Sequence, residues 1–241
     1  MHNSEHILVL GTAQDGGYPQ AGCQAECCTV AWDNPALQRR IASLAILSGN
    51  QYWIIDITPN FRHQLHLIES HLHSKSQIAG IFITHAHVGH YLGLLELGLE
   101  VINSHDTSVY VMPKMKSFLE NNAPFNFLIE SGNIIINQIT DNELIGLSSG
   151  VSISSFLVPH RNEFSETVGY KIKGPNNSIM FIPDIDKWNM WEKNIISEVN
   201  SNDYLLLDGT FFDGNELPER DMSQIPHPFV IESMELFKDL S

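Results

Sequence analysis

Basic residues are scarce in this chain. It has 241 residues, with 13 Lys plus Arg against 28 Asp plus Glu, for a formal net charge of −15. Nucleic-acid binding needs Lys and Arg to neutralise phosphate. The densest basic pair is Arg39-Arg40, so a nucleic-acid partner is disfavoured and a small-molecule substrate fits better. Cysteine is scarce too. Cys23, Cys27 and Cys28 are an odd-numbered cluster and do not read as a disulfide framework. No apolar run approaches the ~18 residues that span a bilayer. The N-terminal stretch 1–10 lacks the basic flank and long apolar core of a signal peptide. These absences lead us to expect a cytoplasmic protein with no membrane partner. Linkers and low-complexity tracts are also missing, and 1–241 is expected to form a single domain. A chain this long buries roughly 70–75% of its unfolded surface, so it needs neither disulfides nor a metal merely to fold.

What is present is histidine in an informative place. His85-Ala-His87-Val-Gly-His90 follows the apolar run Ile78–Thr84 and leads into Tyr91-Leu-Gly-Leu-Leu-Glu-Leu. That pattern reads as a buried strand, a turn carrying three imidazoles, and the start of a helix. Imidazole is the commonest metal ligand, and three within six positions at a strand end can converge on one cleft.

Alternating and continuous apolar runs predict strands over 6–10, 41–47, 52–57, 78–84, 108–112, 133–139, 151–158, 167–173, 178–182 and 204–207. Helices are predicted over 60–73, 90–99, 114–121, 187–199 and 228–240. Sheets covered by helices, an α/β architecture, follow from that alternation. Four further strands end in polar groups: at Asp56, at His160-Arg161, at Asp184-Ile-Asp186, and at Asp208-Gly-Thr210. Active-site groups tend to sit on loops held at the ends of rigid strands. A strand-end Asp is also often only a turn former or a helix N-cap. That bland reading stays open for Asp208. Asp186 is placed to cap the following helix, which leaves Asp184 for a ligand role. His63, His66, His71 and His73 share one predicted helix at a spacing that does not surround a metal, and they read as solvated.

Asp56, His85-x-His87-x-x-His90, His160 and Asp184, in that order and at strand ends, resemble the metallo-β-lactamase-fold hydrolase superfamily. The segments 10–20 with Cys23, 57–64, Tyr91-Leu-Gly-Leu and Ile225-Pro-His-Pro228 are similar to its branch of pyrroloquinoline-quinone biosynthesis B proteins. The resemblance implies a four-layer αββα sandwich. It implies a first metal site of His85, His87 and His160, and a second shared by His90 and Asp184, with His90 and Asp184 in catalytic roles. Asp56 would steady the histidine loop. Arg161, Asp208 and Thr210 are candidate substrate contacts by proximity to motif residues. The cofactor expected is zinc, one or two ions, with iron or manganese as alternatives.

The chain departs from the family pattern in two places. Gly89 stands where the family carries an Asp that ligates the second metal, so weaker occupancy of that site is expected unless Asp15 or Asp208 substitutes. The family's last strand, with a further histidine, is expected to be missing after Ser241. Either His227 takes that role or the chain is truncated relative to its relatives, and truncation would expose a sheet edge and favour a homodimer or poor solubility. Cys23, Cys27, Cys28 and His227 could instead hold a structural zinc, and the alternative for the cysteines is burial as small apolar groups. Three functions remain in view. One is a metal-dependent hydrolase of a small ester or phosphodiester. The second, implied by the B-protein branch, is oxidative chemistry at non-haem iron. The third is a non-catalytic metal-binding protein.

Overall fold

The structure, a computed structural model, describes residues 5–72, 76–217 and 219–240. The sequence expectations for His73 and for the chain's two ends fall on residues outside those described. Two compact units form: Met1–Ile139 with Phe164–Glu166, and Thr140–Glu163 with Thr167–Ser241.

The first unit is built on a sheet of six described strands in simple order: β1 (His6–Gly11), β2 (Ser43–Ser48), β3 (Gln51–Ile55), β4 (Gln77–Phe82), β5 (Thr107–Val111) and β6 (Ile134–Gln138). Its helices are α1 (Glu26–Asp33), α2 (Phe61–His71), α3 (Val88–Tyr91), α4 (Pro113–Asn121) and α5 (Phe125–Glu130). From β3 to β6 the pairing is parallel, and parallel neighbours require crossover connections. The helix α2, the histidine segment, and α4 with α5 make those crossovers in turn. The core gathers Ala45, Ile54, Ile57, Phe61, Ile68, Ile81, Leu94, Val109 and Leu119. Both β1 and β3 run antiparallel to β2, so β1, β3 and β4 point the same way. The loops after these three strands therefore leave one edge of the sheet.

The second unit has five described strands in the order β11-β10-β9-β8-β7. These are β7 (Leu144–Ser148), β8 (Val151–Leu157), β9 (Val168–Lys173), β10 (Ser178–Ile182) and β11 (Tyr204–Leu207), with helices α6 (Ile195–Asn200) and α7 (Val230–Phe237). Both β8 and β10 are antiparallel to β9, and β11 is parallel to β10. Here too the loops after three strands, β8, β10 and β11, share one edge. Phe156, Met180, Ile182, Ile185, Trp188 and Trp191 form this unit's core.

Three elements escape the sequence pattern. The strand β7 is an edge strand, half-exposed and weakened by Gly146. The helix α1 is built on Cys-Cys-Thr-Val, all poor helix formers, and α5 has six residues. The helix expected over 187–199 is broken. A 3-10 turn at Trp188–Met190 puts Trp188 and Trp191 into the core, the backbone extends at Trp191, and α6 restarts with the Asn194 side chain accepting from Ser197 N at 3.2 Å. Among the described residues, no helix is long and apolar enough to cross a membrane.

Candidate metal centre

In the first unit the loops after β1, β3 and β4 carry Asp15, Asp56 and His85–His90. Asp56 is fully buried and adopts a left-handed backbone (φ 64°), a conformation Asp tolerates better than most side chains. Its carboxylate accepts from Thr84 N (2.8 Å) and Thr84 Oγ1 (3.0 and 2.9 Å) and lies 2.7 Å from His90 Nδ1. Burial pushes the Asp56 carboxyl above its ordinary range, against the opposing pull of His90 and Thr84. The same loops are tied through the backbone, since Ile57 N donates to His90 O at 2.9 Å. Asp56 thus fixes the His90 ring from its Nδ1 side and leaves Nε2 pointing away from it, the arrangement in which imidazole ligates metal.

His85 is buried with Nδ1 2.9 Å from Thr84 Oγ1, and its Nε2 lies 2.8 Å from His87 Nδ1. Two imidazole nitrogens this close are suited to sharing one cation. On the other side of His90, Asp15 Oδ1 lies 3.0 Å from Nε2. A Cβ built on Gly89 would fall 2.7 Å from Asp15 Cγ and closer still to its Oδ1. The gap left by the missing side chain at 89 is therefore filled by the Asp15 carboxylate.

In the second unit the loops after β8, β10 and β11 carry His160, Asp184 with Asp186, and Asp208. His227 precedes α7, whose entry is fixed by a parallel bridge between Phe211 and Phe229. One ligand atom from each of His160, Asp184 and His227 lies within 4.8 Å of the others. Each imidazole is held by a different carboxylate: His160 Nδ1 by Asp186 at 3.2 Å, and His227 Nδ1 by Asp208 at 2.6 Å. Burial pulls His160 below its ordinary pKa, with Asp184 and Asp186 opposing. For His227 burial acts in the same downward sense, but Asp208, Asp184 and Asp186 outweigh it and the net shift is upward. Arg161 lines a cleft of about 570 Å³ together with Arg220, Glu219 and Asp221.

Some of the sequence expectations change here. Asp208, expected among the substrate contacts, is turned inward. It is buried, and its oxygens accept from Ile185 N (3.0 Å), Thr210 N (2.9 Å) and Thr210 Oγ1 (2.8 Å) and hold His227. Thr210 is turned onto Asp208 by the same bonds. Asp186 orients His160 rather than capping a helix, because the helix it was expected to cap is broken. The three cysteines form no set of three ligand atoms within reach of one another among the described residues. Cys27 is exposed while its neighbour Cys28 is buried and accepts from Gln20 N at 3.4 Å; successive residues on α1 point about 100° apart. His227, the expected fourth ligand there, belongs to the second unit's cluster instead. His63, His66 and His71 are exposed on α2. Two positioning groups were not singled out from sequence: Asp186 as a partner of His160, and Thr84. Both sit at strand ends, the signal that marked the others.

These donors fit a divalent metal. They are imidazole nitrogens and carboxylate oxygens, the rings of His90, His160 and His227 are backed by carboxylates at Nδ1, and both are borderline-to-hard ligands of the kind zinc, iron and manganese accept.

Comparison with known proteins agrees with this reading. Residues 52–241 match the β-lactamase superfamily domain. The coenzyme PQQ synthesis protein B of Rhodopseudomonas palustris is 34% identical over 165 residues, covering 64% of this chain and 52% of that protein, so the chain spans about half the length of that relative. The crystal structure of zinc-bound PqqB from Methylobacterium extorquens superposes with a TM-score of 0.80 at 21% identity, covering 96% of this chain and 85% of that one. A diphosphatase from the PhnP family gives 0.68 at 20% identity, covering 98% and 82%. The chain belongs to the β-lactamase superfamily, with the mixed α/β metallo-β-lactamase fold, on the branch that includes the PQQ synthesis B proteins.

Proposed function

We propose that this chain is a metal-dependent hydrolase of a small ester or phosphodiester. The first unit offers His85, His87 and His90 as ligands, and the second unit offers His160, Asp184 and His227. One observation carries the reading: His90, His160 and His227 each present a ring whose Nδ1 is held by a buried or half-buried carboxylate, which leaves Nε2 for a cation. A divalent ion held by such a group would supply hydroxide near neutral pH and polarise the scissile group. The protein's own residues do the rest. Asp56, Asp186 and Asp208 fix the imidazoles, and the rigid strand ends hold them in place. The free thiols of Cys23, Cys27 and Cys28 suit a reducing, cytoplasmic setting.

A second reading is oxidative chemistry at non-haem iron. It is favoured by one grouping, His160, Asp184 and His227, which is two imidazoles and a carboxylate. Elemental analysis of aerobically purified protein separates the two. Zinc together with turnover of generic phosphodiesters or esters, abolished by His85→Ala, supports hydrolysis. Iron without hydrolytic turnover supports the second reading.

A further inference from the structure

We propose that Asp15, reaching in from the loop after β1, supplies to the cation held by His90 the carboxylate that position 89 lacks. The inference rests on the reading of this chain as a metal protein and concerns which residue completes the site.

Three observations lead to it. The first is distance. Asp15 Oδ1 and His90 Nε2 are 3.0 Å apart. Two ligand atoms each about 2.0–2.2 Å from one ion are separated by about 3 Å when the angle between them is near 90°, and by slightly more at the tetrahedral angle.

The second is charge. His90 Nδ1 is taken up by the buried Asp56 at 2.7 Å, so Nε2 is the ring atom that faces Asp15. Two carboxylates thus flank one imidazole and call for positive charge beside it. A divalent ion meets that need, and Asp15 is partly exposed (36%) while His90 is almost fully covered (2%). The carboxylate therefore closes the solvent side of the imidazole.

The third is the glycine itself. Gly89 lies within the helical turn Val88–Tyr91 and is buried. Glycine is a poor helix former, and its φ is not in the left-handed region, so backbone freedom does not explain it. Space does. Any side chain at 89 would collide with Asp15, whose Cγ, Oδ1 and Cα all crowd the site of a Cβ, with Cα at 3.0 Å. The carboxylate has been moved from the histidine loop to the opposite loop, and Gly89 is the vacancy that admits it.

The test uses the full chain, stripped of metal and titrated with zinc against a competing chelator, with cobalt absorption as a second readout. Asp15→Asn keeps the shape and removes the charge. It is expected to weaken zinc binding at the His90 site by ten-fold or more and to alter the cobalt spectrum, with the metal-free melting temperature unchanged. In a double-mutant cycle with His90→Ala, the two losses should not add, because both act on one ion. Gly89→Ala displaces Asp15 from the other side and should reproduce the loss. Zinc affinity within two-fold of wild type in both Asp15→Asn and Gly89→Ala would overturn the proposal, as would full additivity in the cycle. Hydrolysis is assayed separately. Absent turnover with an Asp15-dependent zinc site sinks only the hydrolase reading. His85-dependent turnover with an Asp15-independent zinc site sinks only this one.

Discussion

Asp208 Oδ2 lies 2.6 Å from His227 Nδ1, and the same oxygen accepts from Ile185 N, next to Asp184. One buried carboxylate therefore sets the position of two candidate ligands while touching no solvent.

Asp208→Ala should accordingly lower zinc affinity by about 10- to 100-fold. It should also destabilise the metal-free chain by roughly 3–5 kcal/mol, since a buried partner of several donors is lost. Isothermal titration and urea denaturation check the two effects. An unchanged affinity would show that His227 is not a ligand.

Asp56→Ala removes the acceptor of Thr84 N, Thr84 Oγ1 and His90 Nδ1 and places a non-glycine residue at φ 64°. Each stranded buried donor costs about 1–3 kcal/mol. A loss of about 3 kcal/mol or more is expected in equilibrium unfolding. Asp56→Asn tolerates the left-handed backbone better and should lose less stability while still weakening metal binding.

Glu232 sits in the first turn of α7, accepts from Phe229 N at 2.8 Å and pairs with Lys187 at 2.6 Å. Partial burial raises its carboxyl, but the bonds from Lys187 and Phe229 win and its pKa falls below the ordinary 4.5. A depressed carboxyl contributes stability that is present above the unfolded value and is lost as pH falls through the folded one. The melting temperature of Glu232→Gln should therefore trail wild type at neutral pH and converge with it as pH drops below 4.5. Both partners are partly exposed, so the gap is about 1 kcal/mol or less.

Metal removal should leave the chain folded. Both units own cores of fully buried aliphatic and aromatic side chains. A ligand at one hundred times its Kd adds about 2.7 kcal/mol, which for a chain of this size is roughly 5–10 °C in Tm. Chelation should lower Tm by about that much while unfolding stays cooperative by calorimetry. Loss of cooperative unfolding on chelation would show that the metal is needed for the fold.

Much of this protein was legible in its residues. Period and apolar runs located ten of the strands, because buried strands must be apolar and turns must carry Gly, Asn or Pro. The same logic marked Asp56, the histidine loop, His160, Asp184 and Asp208 as polar groups at strand ends. What failed was local and marginal. The strand β7 is a half-exposed edge, and the expected helix over 187–199 yields to the burial of Trp188 and Trp191. Division of labour among the polar groups was also hidden, since a strand-end Asp reads the same whether it ligates, as proposed for Asp184, or braces a histidine, as Asp186 and Asp208 brace His160 and His227.

The sequence by itself determined which groups could serve, by fixing imidazoles and carboxylates at the ends of strands. Only the tertiary structure decided which of them meet. The antiparallel turn from β1 through β2 to β3 sends the loops after β1, β3 and β4 to one edge, and so brings Asp15 against His90 across 75 residues of chain. Gly89, which in sequence looked like a missing ligand, is in space the room that Asp15 occupies. Sequence spacing carries no information about such a substitution, because the contact depends on strand direction and on the volume left by an absent side chain.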